Sequence, residues 1–421
     1  MTKPGFSHNL KAQFSWALFD FANSGFPTVV TTFVFAAYFT QTIAPDTETG
    51  TALWGTAVGI AGFLVAVTSP IAGAIADRTG RQKRWLACLT SLCIIATATL
   101  WFAKPTEASI PLSMMAVVIA TMAFEVSLVF YNALLPTLTS PERLGRLSGL
   151  AWGLGYLGGL LCLVIALMVF VQPENALFGL DKGSAEHVRA TALLTAGWII
   201  TFAWPLFLLT PDTPPTGLPV ISAITQGLKA LIVTLRRAKE HTNSFRFLIA
   251  RMIYIDGVNT MFAFGGVYAA GTFNMAMEEI ILFGIALNAT AGVGAAVFGF
   301  VDDRVGSKKT LTISLLALII TTVGVLMAQT TSQFWIATLT MSIFFGPVQA
   351  ASRTMMARLS PADMRGEMFG LYAMSGKVTS FAGPLAVGWI TAMASSQRIG
   401  LASVLVFLCV GLILLRGVRE P

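Results

Sequence analysis

Six ionisable side chains stand inside stretches that are otherwise apolar: the acids Asp20, Glu125 and Asp256 and the bases Arg251, Arg353 and Lys377. A lone charge in a lipid interior is costly, so equal numbers of each sign point to pairing or to a shared wet cavity. The guanidinium of Arg353 and the ammonium of Lys377 suit an anionic group such as a carboxylate. Glu125 lies deepest, about 14 residues into its apolar run. A carboxyl there is suited to carry a proton, whereas a permanent pair with Arg353 or Lys377 would hold it ionised; both readings stay open. Asp256 with Asn259, and Asp20 with Asn23, put acid and amide on one helix face. The first pair suits an ammonium, and Asp20, closer to its helix end, suits a gate. Arg251 either reaches to the interface or pairs locally. Tyr156 and Gln349, like Tyr131, Asn132, Tyr254 and Asn288, offer neutral hydrogen bonds to a solute or between helices.

A second set of charges is written twice. Residues 73–84 read GAIADRTGRQKR and residues 299–309 read GFVDDRVGSKK, at a constant offset of 226. Gly73 thereby matches Gly299, Asp77 matches Asp303, Arg78 matches Arg304, Gly80 matches Gly306 and Lys83 matches Lys309. Gly73 and Gly299 allow two helix backbones to approach closely. Asp77 and Asp303 stand at helix ends, where a carboxylate meets the positive N-terminus of a facing helix favourably. Arg78 and Arg304 are placed to hold that carboxylate or the facing end. Such contacts form only when that side of the molecule is closed, which would make them a gate between two states. The plainer reading is that they orient the chain and cap helices.

The elements that must position these residues follow from composition. Of 421 residues, 55% are hydrophobic and 11% charged, and mean hydropathy is +0.75. With about 20 residues per crossing, twelve spans are expected near 16–40, 53–76, 85–103, 111–135, 147–171, 190–209, 246–271, 279–301, 310–328, 333–357, 367–393 and 399–416. The expected class is an all-α membrane protein with twelve transmembrane helices in two pseudo-symmetric six-helix bundles. Runs such as LACLTSLCIIATATLWF lack the alternation of barrel strands. DFANS at 20–24 is echoed by DGVNT at 256–260, and SPERLGRLSGL at 140–150 by SPADMRGEMFGL at 360–371. Three repeats in one order divide the chain into halves, 1–209 and 245–421. Residues 210–244 join them: the breaker PDTPPTGLP, then an amphipathic helix with Lys229, Arg236, Arg237 and Lys239 on its polar side. That helix lies on an anionic leaflet or is a solvated linker.

The net charge of +7 is a matter of sidedness rather than of nucleic-acid binding. With both termini inside, the outer loops hold only Lys104, Lys182, Arg189 and Arg398, and 20 of 27 Lys and Arg fall to the cytoplasmic segments. That asymmetry is the positive-inside pattern. MTKPGFSHNLKAQF has no signal core or cleavage site, so the first span is expected to act as an uncleaved anchor. The four cysteines all lie in spans, without metal or redox spacing. No phosphate loop, metal cluster or hydrolase triad is apparent, so no cofactor and no enzymatic activity are expected.

Two six-helix halves with a G-x-x-x-D-R-x-G turn and basic residues close behind it, after the second span of each, resemble the major facilitator superfamily. SWALFDFANSGF (15–26), QAASRTMMARLSP (349–361) and GEMFGLYAMSGKVTSFAGP (366–384) are further similar to the vacuolar amino-acid effluxer family of yeast autophagy and its bacterial relatives. The resemblance implies a central cavity lined by spans 1, 4, 7 and 10, hence by Asp20, Glu125, Asp256 and Arg353. It implies that the turn carboxylates meet spans 11 and 5, which begin near Gly366 and Arg146. It also implies a monomer that exports small solutes passively or with ion coupling, amino acids foremost and protons as one coupling ion. The location that follows is a bacterial-type inner membrane. Alternatives are a proton-coupled antiporter of amphipathic compounds and a transport-dead sensor. The fifth span reads GLGYLGG, without the Gly-Pro pair usual in drug antiporters.

Overall fold

A computed structural model describes residues 9–420 apart from 174–178, 218–221, 223–224, 228, 230, 234–239 and 276. The order of its long helices is α1 Leu10–Ile43, α2 Thr49–Thr79, α3 Gln82–Phe102, α4 Glu107–Leu138, α5 Pro141–Val171, α6 Glu186–Leu209, α7 Thr242–Phe273, α8 Leu282–Val305, α9 Ser307–Met327 and α10 Thr331–Leu359. Two shorter helices follow, α11 Arg365–Ser375 and α12 Ala382–Ala394, and then α13 Gln397–Arg416. Eleven of these are long and apolar enough to cross a membrane. The expected span at 367–393 is two helices rather than one. The chain turns over Gly376–Phe381, where the polar run GKVTS offers little apolar surface and Pro384 would crowd the carbonyl four residues back in a continuous helix. The linker helix expected after the proline-rich segment lies largely outside the described residues, Arg236, Arg237 and Lys239 among them; Lys229 is helical and exposed.

Helices without a polar face must be covered on every side, by lipid or by each other. Within a first set, α1–α6, α1 packs on α5 and α6, and α3 on α4 and α6; α7–α13 are the second set. Within the second, α7 packs on α13, and α10 on α8 and α9. The most extensive pairings join the two sets: α5 with α8, and α2 with α11. Small residues make this closeness possible. A β-carbon on Gly73 would collide with the Gly366 carbonyl, and one on Gly299 would lie 2.7 Å from the Gly145 carbonyl.

Each repeated turn is strapped by the segment that follows the last helix of its own set. Lys83 N–H donates to Asp212 at 3.0 Å and its ammonium to the Thr210 carbonyl at 2.5 Å. At the second turn Ser307 N–H donates to Glu420 at 2.5 Å, and the Lys308 ammonium to the Arg416 carbonyl at 3.0 Å. The turns themselves need glycine. Gly80 (φ 64, ψ −159) and Gly306 (φ 93, ψ 156) occupy a region closed to other residues by the β-carbon. Gly306→Ala should therefore cost on the order of 1–3 kcal/mol. It should lower the thermal midpoint of the purified protein, whereas Gly265→Ala, which faces open space, should leave it unchanged.

Candidate functional site: a charged cavity between the helix sets

Both turn carboxylates engage the start of a helix in the opposite set. Asp77 accepts the backbone N–H groups of Gly366 and Glu367, each at 2.8 Å, at the first turn of α11. Asp303 accepts the Gly145 N–H at 2.7 Å near the start of α5, and its second oxygen takes Arg146 Nε at 2.7 Å. These N–H groups lack partners within their own helix and carry its positive end, so a carboxylate satisfies them doubly. The turn arginines do not take part. Arg78 and Arg304 are exposed and form no ion pair among the described residues. The cation at Asp303 is instead Arg146 of the facing helix. Next to Asp303, buried Asp302 binds Arg358 at 3.0 Å, and Arg358 also holds Glu420 at 2.9 Å. The first turn has Ala76 at the position of Asp302, so this cluster breaks the repeat.

Further into the molecule a cavity of about 280 Å³ is lined from both sets. Five charged chains border it: Asp20, Glu125, Arg251, Arg353 and Lys377. Arg353, on α10, is 3% exposed and enters the first set. It pairs with Asp20 at 2.9 Å, donates to the Ser148 hydroxyl and carbonyl at 2.9 and 2.7 Å, and lies 4.9 Å above the Trp16 ring. Trp16 and Tyr131 stack at 4.4 Å, so the guanidinium is held by a π face as well as by charge. Lys377 stands in the turn between α11 and α12 and pairs with Glu125 of α4 at 2.7 Å. The two cations that suit an anionic solute by type are therefore each occupied by a carboxylate.

The neutral residues divide. Asn23, Asn259 and Gln349 line the cavity, and Gln349 donates across the sets to the Tyr156 hydroxyl at 3.1 Å. Asp256 does not share the face of Asn259. The cavity face of α7 is Arg251, Ile255 and Asn259, four residues apart; Asp256, one position on, points about 100° away from Ile255. It is 1% exposed and accepts the Gly383 N–H at 3.1 Å, at the start of α12. Arg251 does not reach an interface, and among the described residues it pairs with no acid: it is 8% exposed and faces the cavity. Partners that a reading of charge alone overlooks are Ser148, Trp16, Tyr131 and Arg146. The repeat of SPERLGRLSGL in SPADMRGEMFGL, which sets Gly145 against Gly366, marks the segment of Arg146 and Ser148, and no repeat marks Trp16 or Tyr131. A second, mainly apolar cavity of about 310 Å³ shares Pro27 with the first, where α1 loosens into π-helix over Phe26–Phe33.

Packed apolar helices around a charged cavity, closed at one end by a repeated helix-end contact, define a multi-pass membrane transporter of the major facilitator class. A model of the Major Facilitator Superfamily matches residues 2–163, and a model described as vacuole effluxer Atg22 like matches residues 142–420. The chain belongs to that Atg22-like family within the major facilitator transporters. It is 26% identical to an uncharacterized MFS-type transporter, YxiO, of Bacillus subtilis (strain 168), over 97% of this chain and 95% of that one. It is 26% identical to Autophagy-related protein 22 of Cryptococcus neoformans var. neoformans serotype D (strain B-3501A), over 65% of this chain and 54% of the fungal one. Among solved structures, the proton:xylose symporter XylE aligns with a TM-score of 0.75 at 13% identity, covering 98% of this chain and 96% of that one.

Removing one partner of a buried pair leaves the other charge uncompensated, typically at about 3–5 kcal/mol. Asp20→Asn should thus strongly lower thermal stability in detergent. Combining it with Arg353→Gln should recover part of the loss, a coupling that a double-mutant cycle measures.

Proposed function

We propose that this chain moves a small polar solute, an amino acid or related compound, across a bacterial-type inner membrane by alternating access, in the direction of export. The observation that carries this reading is a charged cavity bordered by both helix sets and sealed at one end by matched carboxylate–helix contacts. In the proposal α11 and α12 together form an interrupted eleventh span, which brings the crossings to twelve and gives six-helix halves 1–209 and 245–421 joined by the linker 210–244. The sealed end, rich in Lys and Arg, faces the cytoplasm with both termini, in keeping with the positive-inside pattern. The chain acts as a monomer with its solute and the lipid bilayer as partners.

The residues then sort by what they must do. Gly73, Asp77, Gly80, Gly299, Asp303 and Gly306 form the cytoplasmic latch, whose contacts exist in the closed state alone and so bias the equilibrium toward it. Arg78 and Arg304 belong to the latch as charges on its rim. Asp20 with Arg353 is a deeper lock of the same kind, since the pair bridges the sets. Asn23, Asn259, Gln349 and Tyr156 supply neutral contacts to the solute. Glu125 with Lys377 is the exchangeable pair, and a proton taken by Glu125 would release Lys377. Asp256 holds the interrupted span in register.

Export from proteoliposomes loaded with radiolabelled amino acids tests the reading. Asp77→Asn should insert normally and slow the flux several-fold, because the latch loses charge at a helix end. Wild-type rates in that variant would remove the latch from the mechanism. Glu125→Gln should keep solute exchange and abolish acceleration by a pH gradient; retained acceleration would exclude proton coupling through this pair.

A further inference from the structure

The charges around the cavity do not balance. Asp20 and Glu125 face Arg251, Arg353 and Lys377, and the two carboxylates are committed to Arg353 and Lys377 at 2.9 and 2.7 Å. Arg251 makes no ion pair among the described residues. Its Nη1 donates to the Tyr372 carbonyl and the Ser375 hydroxyl, both at 2.8 Å, and its guanidinium lies 3.5 Å from the centre of the Tyr372 ring. Its Nε is buried without a hydrogen-bond partner. The acid nearest along α7, Asp256, is turned to the Gly383 N–H instead.

This arrangement has a structural part and an unfilled part. Arg251 and Asp256 close the two ends of the break in the interrupted span. The arginine meets a carbonyl and a hydroxyl where α11 ends, and the carboxylate meets an N–H where α12 begins, each sign matching the helix end it faces. That accounts for one nitrogen of Arg251. A guanidinium offers five N–H donors, and burying its charge with donors left over is expensive unless something else completes it. The space is kept open by Gly376, whose β-carbon, were there one, would stand 3.1 Å from Nη1.

Building on the transport reading, we infer that Arg251 is the anion-recognition residue of the cavity and that the solute carries a single acidic group, a carboxylate in the first instance. The group completes the guanidinium from the cavity side. Because Lys377 follows Gly376 directly, a carboxylate held there sits beside the Glu125–Lys377 pair and competes with Glu125 for the ammonium. Binding of the solute is thereby tied to the ion pair that joins the break to the first helix set.

The test offers one isobutyl side chain in three charge states to the purified full-length chain: leucine, 4-methylpentanoate and 3-methylbutylamine, titrated by calorimetry in detergent. Leucine and 4-methylpentanoate should bind, and the amine should not. Arg251→Gln should weaken carboxylate binding about tenfold or more. Arg251→Lys, which keeps the charge without the fork, should fall between. Gly376→Ala, which leaves the charge intact but narrows the site, should weaken carboxylate binding as well and guards against misfolding of the arginine variants. Equal binding of the amine, unchanged carboxylate affinity in Arg251→Gln, or no carboxylate binding by the wild-type chain would each overturn the inference. Transport is judged separately: carboxylate binding that depends on Arg251, with none of the three probes crossing proteoliposomes, would leave the site standing and remove the transport reading.

Discussion

One buried guanidinium ties the two sets of helices together. Arg353 leaves α10 and is satisfied almost entirely by the other set: a carboxylate from α1, a hydroxyl and a carbonyl from α5, and the faces of Trp16 and Tyr131. In a medium without water such a cation has nowhere else to go. The partners that satisfy it therefore also constrain the helices that carry them. α1 must present Asp20 and Trp16 together, α4 must stack Tyr131 on Trp16, and α5 must approach α10 closely enough for the Ser148 hydroxyl to reach the Ala350 carbonyl at 2.9 Å. The glycine-lined contact of α5 with α8 lies alongside and depends on the same approach.

Around this centre the molecule is built twice, with differences that matter. Carboxylates of the repeated turns meet helix starts in the opposite set, and tails after the last helix of each set strap the turns. The second copy adds a buried cluster of Asp302, Arg358 and Glu420 that the first lacks. The span opposite α5 in the repeat is broken, and the break is where Lys377, Arg251 and Asp256 converge. A symmetrical frame suits rocking between two states, and the residues that depart from symmetry surround the cavity.

Much of this was legible in residue order. The apolar runs, the repeat at 226 residues and the positions of Asp77 and Asp303 against the helices beginning near Gly366 and Arg146 follow from local pattern and resemblance. Side-chain pairing was less so. Arg353 and Lys377 look like open cations in a list of charges, yet each has a carboxylate from a helix more than two hundred residues away in sequence. The i,i+3 spacing of Asp256 and Asn259 suggests one shared face, yet only Asn259 borders the cavity and Asp256 turns to the Gly383 N–H. Arg78 and Arg304 recur as faithfully as the aspartates and nevertheless face outward.

The sequence by itself determined that the chain is an apolar, helical, internally repeated membrane protein, because hydropathy, loop charge and repeats are properties of neighbouring residues. Tertiary structure alone decided which charges cancel. Pairing energy in a low-dielectric interior depends on distances between helices, and no local pattern encodes those. The span at 367–393 is apolar enough to be read as one helix. The run GKVTS and Pro384 weaken a continuous helix there, and Arg251 and Asp256 of another helix meet its two new ends with charges of matching sign.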